Sequence, residues 1–270
     1  MKHDVTIFRR FAGPRSRQGV TWALCLALSG CAELPPHMKQ ELVQADKSYR
    51  ANDMPAAIKR LDPLLAQFPN TPESAEAYYL RALCRIKMNK ASDALADLSD
   101  CVRLSTRADL TARAYASMGG IQHDLGQYAA AAASFEKALQ KLPDQPPTDQ
   151  VRLRHGICLQ RIGKWEEART AFSTLIRRFP SSPYAEDARR RFSWKHPFFS
   201  IQCGAFVGPA QADALVQKLR SAISEGWVEP EARYGRPMYV VYAGKYGTLA
   251  EAEASLRAAR RVTPEAFIVP

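Results

Sequence analysis

The sequence predicts a two-part molecule: an all-α array of repeated helices, followed by a smaller α+β module. Three observations carry this. Between Met38 and Ser182, similar residues recur every 37 positions. Near the C-terminus a short strand-turn-helix pattern occurs twice, forty positions apart. Ahead of both lies a basic stretch followed by an apolar run that is too short to span a bilayer. A chain of 270 residues has room for two ordinary domains. Its 46% hydrophobic and 24% charged residues are the balance of a chain that packs cores rather than one that stays disordered.

The N-terminus comes first. Arg9 to Arg17 form a basic region and Val20 to Leu28 an apolar core, the layout of an export signal over residues 1–30. Leu28-Ser29-Gly30-Cys31 then resembles the bacterial lipobox. That resemblance implies cleavage before Cys31, acylation of Cys31, and anchorage by several chains, which hold where a single chain does not. Ala32 follows the cysteine, where an aspartate would resemble the inner-membrane retention signal, so an outer-membrane anchor facing the periplasm is expected. Residues 31–37 read as a short linker. The formal charge is +11. Without residues 1–30 it is +7, from 33 basic against 26 acidic side chains. A basic surface suits a polyanion or an acidic membrane face.

The repeats occupy residues 38–193, in windows 38–71, 75–108, 112–145 and 149–182 with a charged capping helix after them. Small residues recur at Ala45, Ala82, Gly119 and Gly156, and alanines at Ala57, Ala94, Ala131 and Ala168. Bulky residues recur at Leu61, Leu98, Phe135 and Phe172, and aliphatics at Leu65, Val102, Leu139 and Ile176. Small positions let helices approach and large ones fill the groove between them. Asn52-Asp53, Asn89-Lys90, Gly126-Gln127 and Gly163-Lys164 mark turns. The pattern resembles the tetratricopeptide repeat, two antiparallel helices per unit, here with a lengthened linker. The resemblance implies a concave face that binds a protein partner, with Tyr49, Arg50, Tyr79, Lys87, His123 and Arg161 at groove positions. Asp46, Leu83, Gly120 and Ile157 stand where a carboxylate clamp would need asparagine, so chaperone-tail binding is not expected. Phe68–Pro72 and Phe179–Pro183 resemble junctions of periplasmic repeat proteins in envelope assembly.

The C-terminal module spans 197–270. Its copies read FFSIQCGAFVGPAQADAL from Phe198 and MYVVYAGKYGTLAEAEASL from Met238. Each is an alternating run, a Gly-x-aromatic turn, then an alanine-rich amphipathic segment. Thr248 with Glu251 forms a capping box. Further strand candidates follow at 227–234 and 266–269. The order βαββαβ gives a four-stranded antiparallel sheet with two helices on one face. Alternation places Ile201, Cys203, Tyr239, Val241 and Ala243 under the helices, and Ser200, Gln202, Val240 and Tyr242 on the opposite, open face. Trp227 and Arg233 lie on the second strand, whose register stays undetermined.

These residues resemble the SPOR (sporulation-related repeat) family: Phe199-Ser200-Ile201-Gln202-Cys203-Gly204-Ala205-Phe206 and Tyr239-Val240-Val241-Tyr242-Ala243-Gly244-Lys245-Tyr246. The resemblance implies binding to peptidoglycan glycan strands, above all denuded strands at the division septum, with the family's binding glutamine at Gln202. An amide can donate to and accept from an acetamido group, and Tyr242 offers a stacking surface with a polar tip. A four-stranded sheet with two helices also resembles an RNA-recognition module, but that family's aromatic and glycine signature is absent, and no nucleic-acid partner is expected.

No HExxH, GxSxG, Walker or GxGxxG pattern occurs, and no His lies at metal-ligand spacing, so neither an enzyme nor a cofactor is expected. Cys84 and Cys101 fall on the two helices of one repeat; an oxidising compartment permits a disulfide there, while two packed thiols are the plainer reading. His155 and Cys203 read as core. Two functions follow. One is a binding lipoprotein that grips septal glycan and recruits an envelope or divisome protein. The other is an adaptor of an envelope assembly complex whose C-terminal module is weak or silent.

Overall fold

The computed structural model describes residues 34–233 and 235–270. The export signal, Cys31 and Tyr234 lie outside the described residues. Eight helices form four antiparallel pairs: α1 (Pro36–Arg50) with α2 (Met54–Gln67), α3 (Ser74–Lys87) with α4 (Ala91–Leu104), α5 (Ala108–Asp124) with α6 (Tyr128–Leu139), and α7 (Thr148–Arg161) with α8 (Trp165–Arg178). The capping helix α9 (Ala185–Ser193) packs on α8. The third pair begins ahead of its 112–145 window, where Thr106 stands in place of the proline that closes the other repeats. The segment expected to be a linker also takes part. Leu34 is buried in the first core cluster, and α1 starts at Pro36, because proline suits the first turn of a helix.

The 37-residue period has two physical causes. The first is turn geometry. Asn52, Asn89, Gly126 and Gly163 all hold positive φ, between 58° and 78°. This left-handed conformation ends each first helix, and the residue after it donates back to a carbonyl five residues earlier, as Asp53 N–H does to Ser48 O at 2.9 Å. Asparagine and glycine are the residues that tolerate it. The second cause is paired size. A Cβ on Gly119 would come within 2.6 Å of the Phe135 ring, and one on Gly156 within 2.4 Å of the Phe172 ring. Ala45 and Ala82 share a core with Leu61 and Leu98 at the equivalent places. A larger residue on the second helix thus goes with a smaller one on the first, which keeps interior density constant.

The C-terminal module contains β1 (Phe199–Phe206), α10 (Pro209–Leu219), β2 (Gly226–Arg233), β3 (Arg236–Tyr246), α11 (Leu249–Val262) and β4 (Phe267–Val269). The sheet order is β2-β3-β1-β4, all neighbours antiparallel. Both helices pack on one face, over Ile201, Cys203, Val241 and Ala243. The capping box is present: Glu251 N–H donates to Thr248 Oγ1 and Thr248 N–H to Glu251 Oε2, both at 3.3 Å. The Gly-x-aromatic motif has a shared cause in both copies. The aromatic ring folds back over the glycine two residues earlier, Phe206 over Gly204 and Tyr246 over Gly244, leaving no room for a side chain.

All four described cysteines are buried and unpaired. Burial pushes the thiols of Cys84 and Cys203 up to about 11, and those of Cys101 and Cys158 to about 12. They are packing residues in the thiol form. Burial likewise depresses the pKa of His155 and favours its neutral imidazole.

Candidate functional site

Two surfaces assemble the residues that carry chemistry. On the sheet, strand pairing sets Trp227, Tyr242, Gln202 and Phe267 in one row across β2, β3, β1 and β4. The row faces away from α10 and α11, since the alternate residues Ile201, Val241, Ala243 and Ile268 form the core beneath the helices. It places an amide, which can donate and accept hydrogen bonds, between a tyrosine and a phenylalanine, which offer ring faces. Phe267, which the sequence reasoning missed, is 47% exposed; its pairing with Gln202 depends on where β4 docks, and no local signal specifies that.

The expectation of an open face needs correction. Ser200 and Val240 are fully buried, Tyr242 is 2% exposed and Gln202 7%. Ser200 Oγ donates to Ala243 O at 3.2 Å, and the Tyr242 hydroxyl donates to Glu231 Oε1. On this side the segment 194–198 folds back against Tyr242, Trp227 and Glu229. Trp194 meets Tyr242 edge-on at 5.3 Å, and His196 Nε2 lies 2.9 Å from Glu229 Oε2. His196 and Phe198 stack at 4.9 Å, each with an edge contact to Trp227 at 6.0 Å. Trp227 is half-buried on this face beside Tyr242, at 5.5 Å. Lys245 Nζ lies over the Phe198 and Trp227 rings and pairs with Glu225. Arg233 pairs with Arg236 at the end of β2 by backbone, and its side chain lies outside the described residues.

The second surface is a cavity of about 580 Å³ in the solenoid, lined by α3, α5, α6, α7 and the connection from α6 to α7. Tyr79 lies in it. Tyr49, Arg50, Lys87, His123 and Arg161 do not: they sit in the last turn of their helices. There they engage neighbours instead. Lys87 Nζ lies 5.5 Å from the Tyr49 ring and donates to Asn52 Oδ1 at 3.3 Å. Arg50 donates to Asp46 at 2.7 Å, Arg161 lies 5.2 Å from the Tyr128 ring, and His123 meets the same ring edge-on. The cavity is lined instead by Arg113, Ala116, Ser117 and Gly120 of α5 and Val151 and Arg154 of α7. The α5 positions follow the i, i+3, i+4, i+7 spacing of one helix face, a signal present in the sequence. Arg113 lies 5.3 Å from the Tyr79 ring. With Lys141 and Arg154 it outnumbers the one lining carboxylate, Asp109, so the lining is net basic; Arg113 pairs with Asp109 at 3.4 Å and Arg154 with Asp124 at 3.5 Å.

Among the described residues no helix is long and apolar enough to cross a membrane, and no group of three His, Cys, Asp or Glu side chains could hold a metal ion.

Comparison with known families agrees with this division. Residues 195–270 match the SPOR domain, and residues 42–100, 85–146 and 122–192 match tetratricopeptide repeat models. Among solved structures, residues 41 to the end of MamA from Desulfovibrio magneticus RS-1 align at 13% identity. The alignment covers 59% of this chain and 84% of that one, with a TM-score of 0.50. YrrB, described as a TPR protein with an unusual peptide-binding site, aligns at 15% identity over 83% of this chain and 86% of its own, with a TM-score of 0.48. No curated protein matches the sequence.

Proposed function

Since the chain belongs to the tetratricopeptide-repeat proteins and carries a C-terminal SPOR domain, we propose that it is a non-enzymatic lipoprotein linking peptidoglycan to a protein partner. The observation that carries the glycan half is the cross-sheet row Trp227–Tyr242–Gln202–Phe267, opposite the helices. Denuded septal glycan strands are its ligand. The basic solenoid cavity supports recruitment of an extended segment of an envelope or divisome protein, one carrying carboxylates that Arg113 and Arg154 can pair. The anchor is Cys31, in the outer membrane and facing the periplasm. Cys31→Ala is expected to leave an unprocessed precursor that takes up no palmitate, whereas a processed, labelled variant would remove the anchor from the proposal.

Full-length protein sedimented with sacculi, before and after amidase removal of stem peptides, tests the glycan half. Gln202→Ala deletes one or two hydrogen bonds to the sugar, about 1–3 kcal/mol where the partner groups stay desolvated. Binding to amidase-treated sacculi is expected to weaken about ten-fold or more, at about 1.4 kcal/mol per decade. A melting curve is the control, because Gln202 is itself largely buried. If Gln202→Ala and Phe267→Ala both sediment like wild type, the sheet face is not the site. The burial of Ser200, Val240 and Tyr242 favours the second reading, an envelope adaptor whose C-terminal module is silent in this conformation.

A further inference from the structure

We propose that residues 194–198 form a strap that occludes the glycan face and lifts away before a strand can reach Gln202 and Tyr242. The proposal rests on the glycan reading above and explains how a face so deeply buried can bind a polymer.

A sugar strand stacks and hydrogen-bonds only with atoms it can touch, yet Tyr242 and Gln202 are 2% and 7% exposed. What stands over Tyr242 is the Trp194 ring, at 5.3 Å. The strap has its own internal closure, because the Trp194 indole N–H donates to Phe198 O at 2.9 Å. Besides Trp194 on Tyr242, its contacts with the sheet are the 2.9 Å His196–Glu229 contact, the ring edges of His196 and Phe198 on Trp227, and Lys245 Nζ 5.9 Å from the Phe198 ring. Trp194, His196, Phe198, Trp227 and Glu229 are each half-buried, so water can replace much of what is lost when the strap leaves. Lys195 and Pro197 point outward between them and are exposed. The face is therefore covered by a short segment held at its rim.

The root of the strap belongs to the solenoid. Arg169 of α8 donates to Phe192 O at 3.0 Å and to Trp194 O at 3.1 Å, holding the end of α9 where the strap begins. Trp165, also of α8, meets Phe199 at the start of β1 at 4.9 Å. The last repeat helix thus grips both ends of the strap, so a shift of α8 bears directly on the cover of the sheet. This gives the repeats a physical route to the glycan face.

Full-length Trp194→Ala and His196→Ala test the strap by sedimentation with amidase-treated sacculi. Both are expected to bind about ten-fold tighter than wild type, and adding Gln202→Ala should remove the gain. His196→Ala acts at the half-exposed rim and carries the test should Trp194→Ala fail to fold, as judged by melting. Equal binding of wild type and both variants overturns the strap and leaves the glycan site standing. Weaker binding by a folded Trp194→Ala also overturns it, since the rings would then be part of the sugar platform. If no form sediments, the strap-released ones included, the glycan reading falls and the strap with it.

Discussion

Replacing Gly244 by alanine is expected to lower the stability of the C-terminal module by about 2–4 kcal/mol, from two separable causes. Gly244 holds φ +73°, a left-handed conformation that costs a residue with a Cβ about 1–2 kcal/mol. In addition, an added Cβ would lie 2.1 Å from the Tyr246 hydroxyl and 2.2 Å from the adjoining ring carbon, so the ring must leave the place where it packs against the helix-side core. Gly235 separates the causes. It has the same φ of +73° but nothing within 4 Å of an added Cβ, so Gly235→Ala should show the backbone cost alone, about 1 kcal/mol. Urea unfolding followed through the C-terminal transition measures both. Equal costs for the two variants would mean that the ring does not hold the glycine, and that the Gly-x-aromatic motif needs another explanation.

Asp97→Ala is expected to cost the solenoid about 2–4 kcal/mol. Asp97 is buried on α4 and takes both arms of a bidentate pair from Arg81 of α3, at 2.8 and 3.1 Å, with Arg85 on the second oxygen at 2.7 Å. Arg81 also reaches Asp62 of α2, at 2.7 Å, so three helices meet at one guanidinium. Removing the shared carboxylate strands two partly desolvated cations, and breaking a buried pair from one side is the costly direction. The cost stays below that of a fully buried pair because Arg81 and Arg85 keep 15% and 21% of their side-chain surface in water. In a double-mutant cycle, Arg81→Ala added to Asp97→Ala should cost less than the sum of the singles. A melting curve for Asp97→Ala that overlays wild type would show the cluster to be surface-like.

Much of the architecture was legible because it is written in local, repeating terms. A left-handed turn every 37 residues needs Asn or Gly, and each tight helix pair needs a small residue facing a large one; both leave marks in composition at fixed offsets. The βαββαβ order was equally legible, since alternation, the Gly-x-aromatic turns and the Thr248–Glu251 cap are all local patterns. The expected groove residues and the lining of the cavity divide by position. Lys87, His123 and Arg161 share a helix-end location, and the residues that line the cavity are mid-helix ones such as Tyr79, Arg113 and Arg154.

By itself the sequence determined the two-part organisation, the turn positions and which side of β1 and β3 meets the helices, because all of these follow from periodicity along the chain. Only the tertiary structure decided which of those residues solvent can reach. Alternation says that Gln202 and Tyr242 point away from α10 and α11; it carries no information on what the rest of the chain lays over them. Over Tyr242 stands Trp194, on a segment held from a solenoid helix by Arg169, with His196 and Phe198 beside it against Glu229 and Trp227. Burial there is a property of long-range packing, set by residues 25 and more positions apart, and no local pattern encodes it.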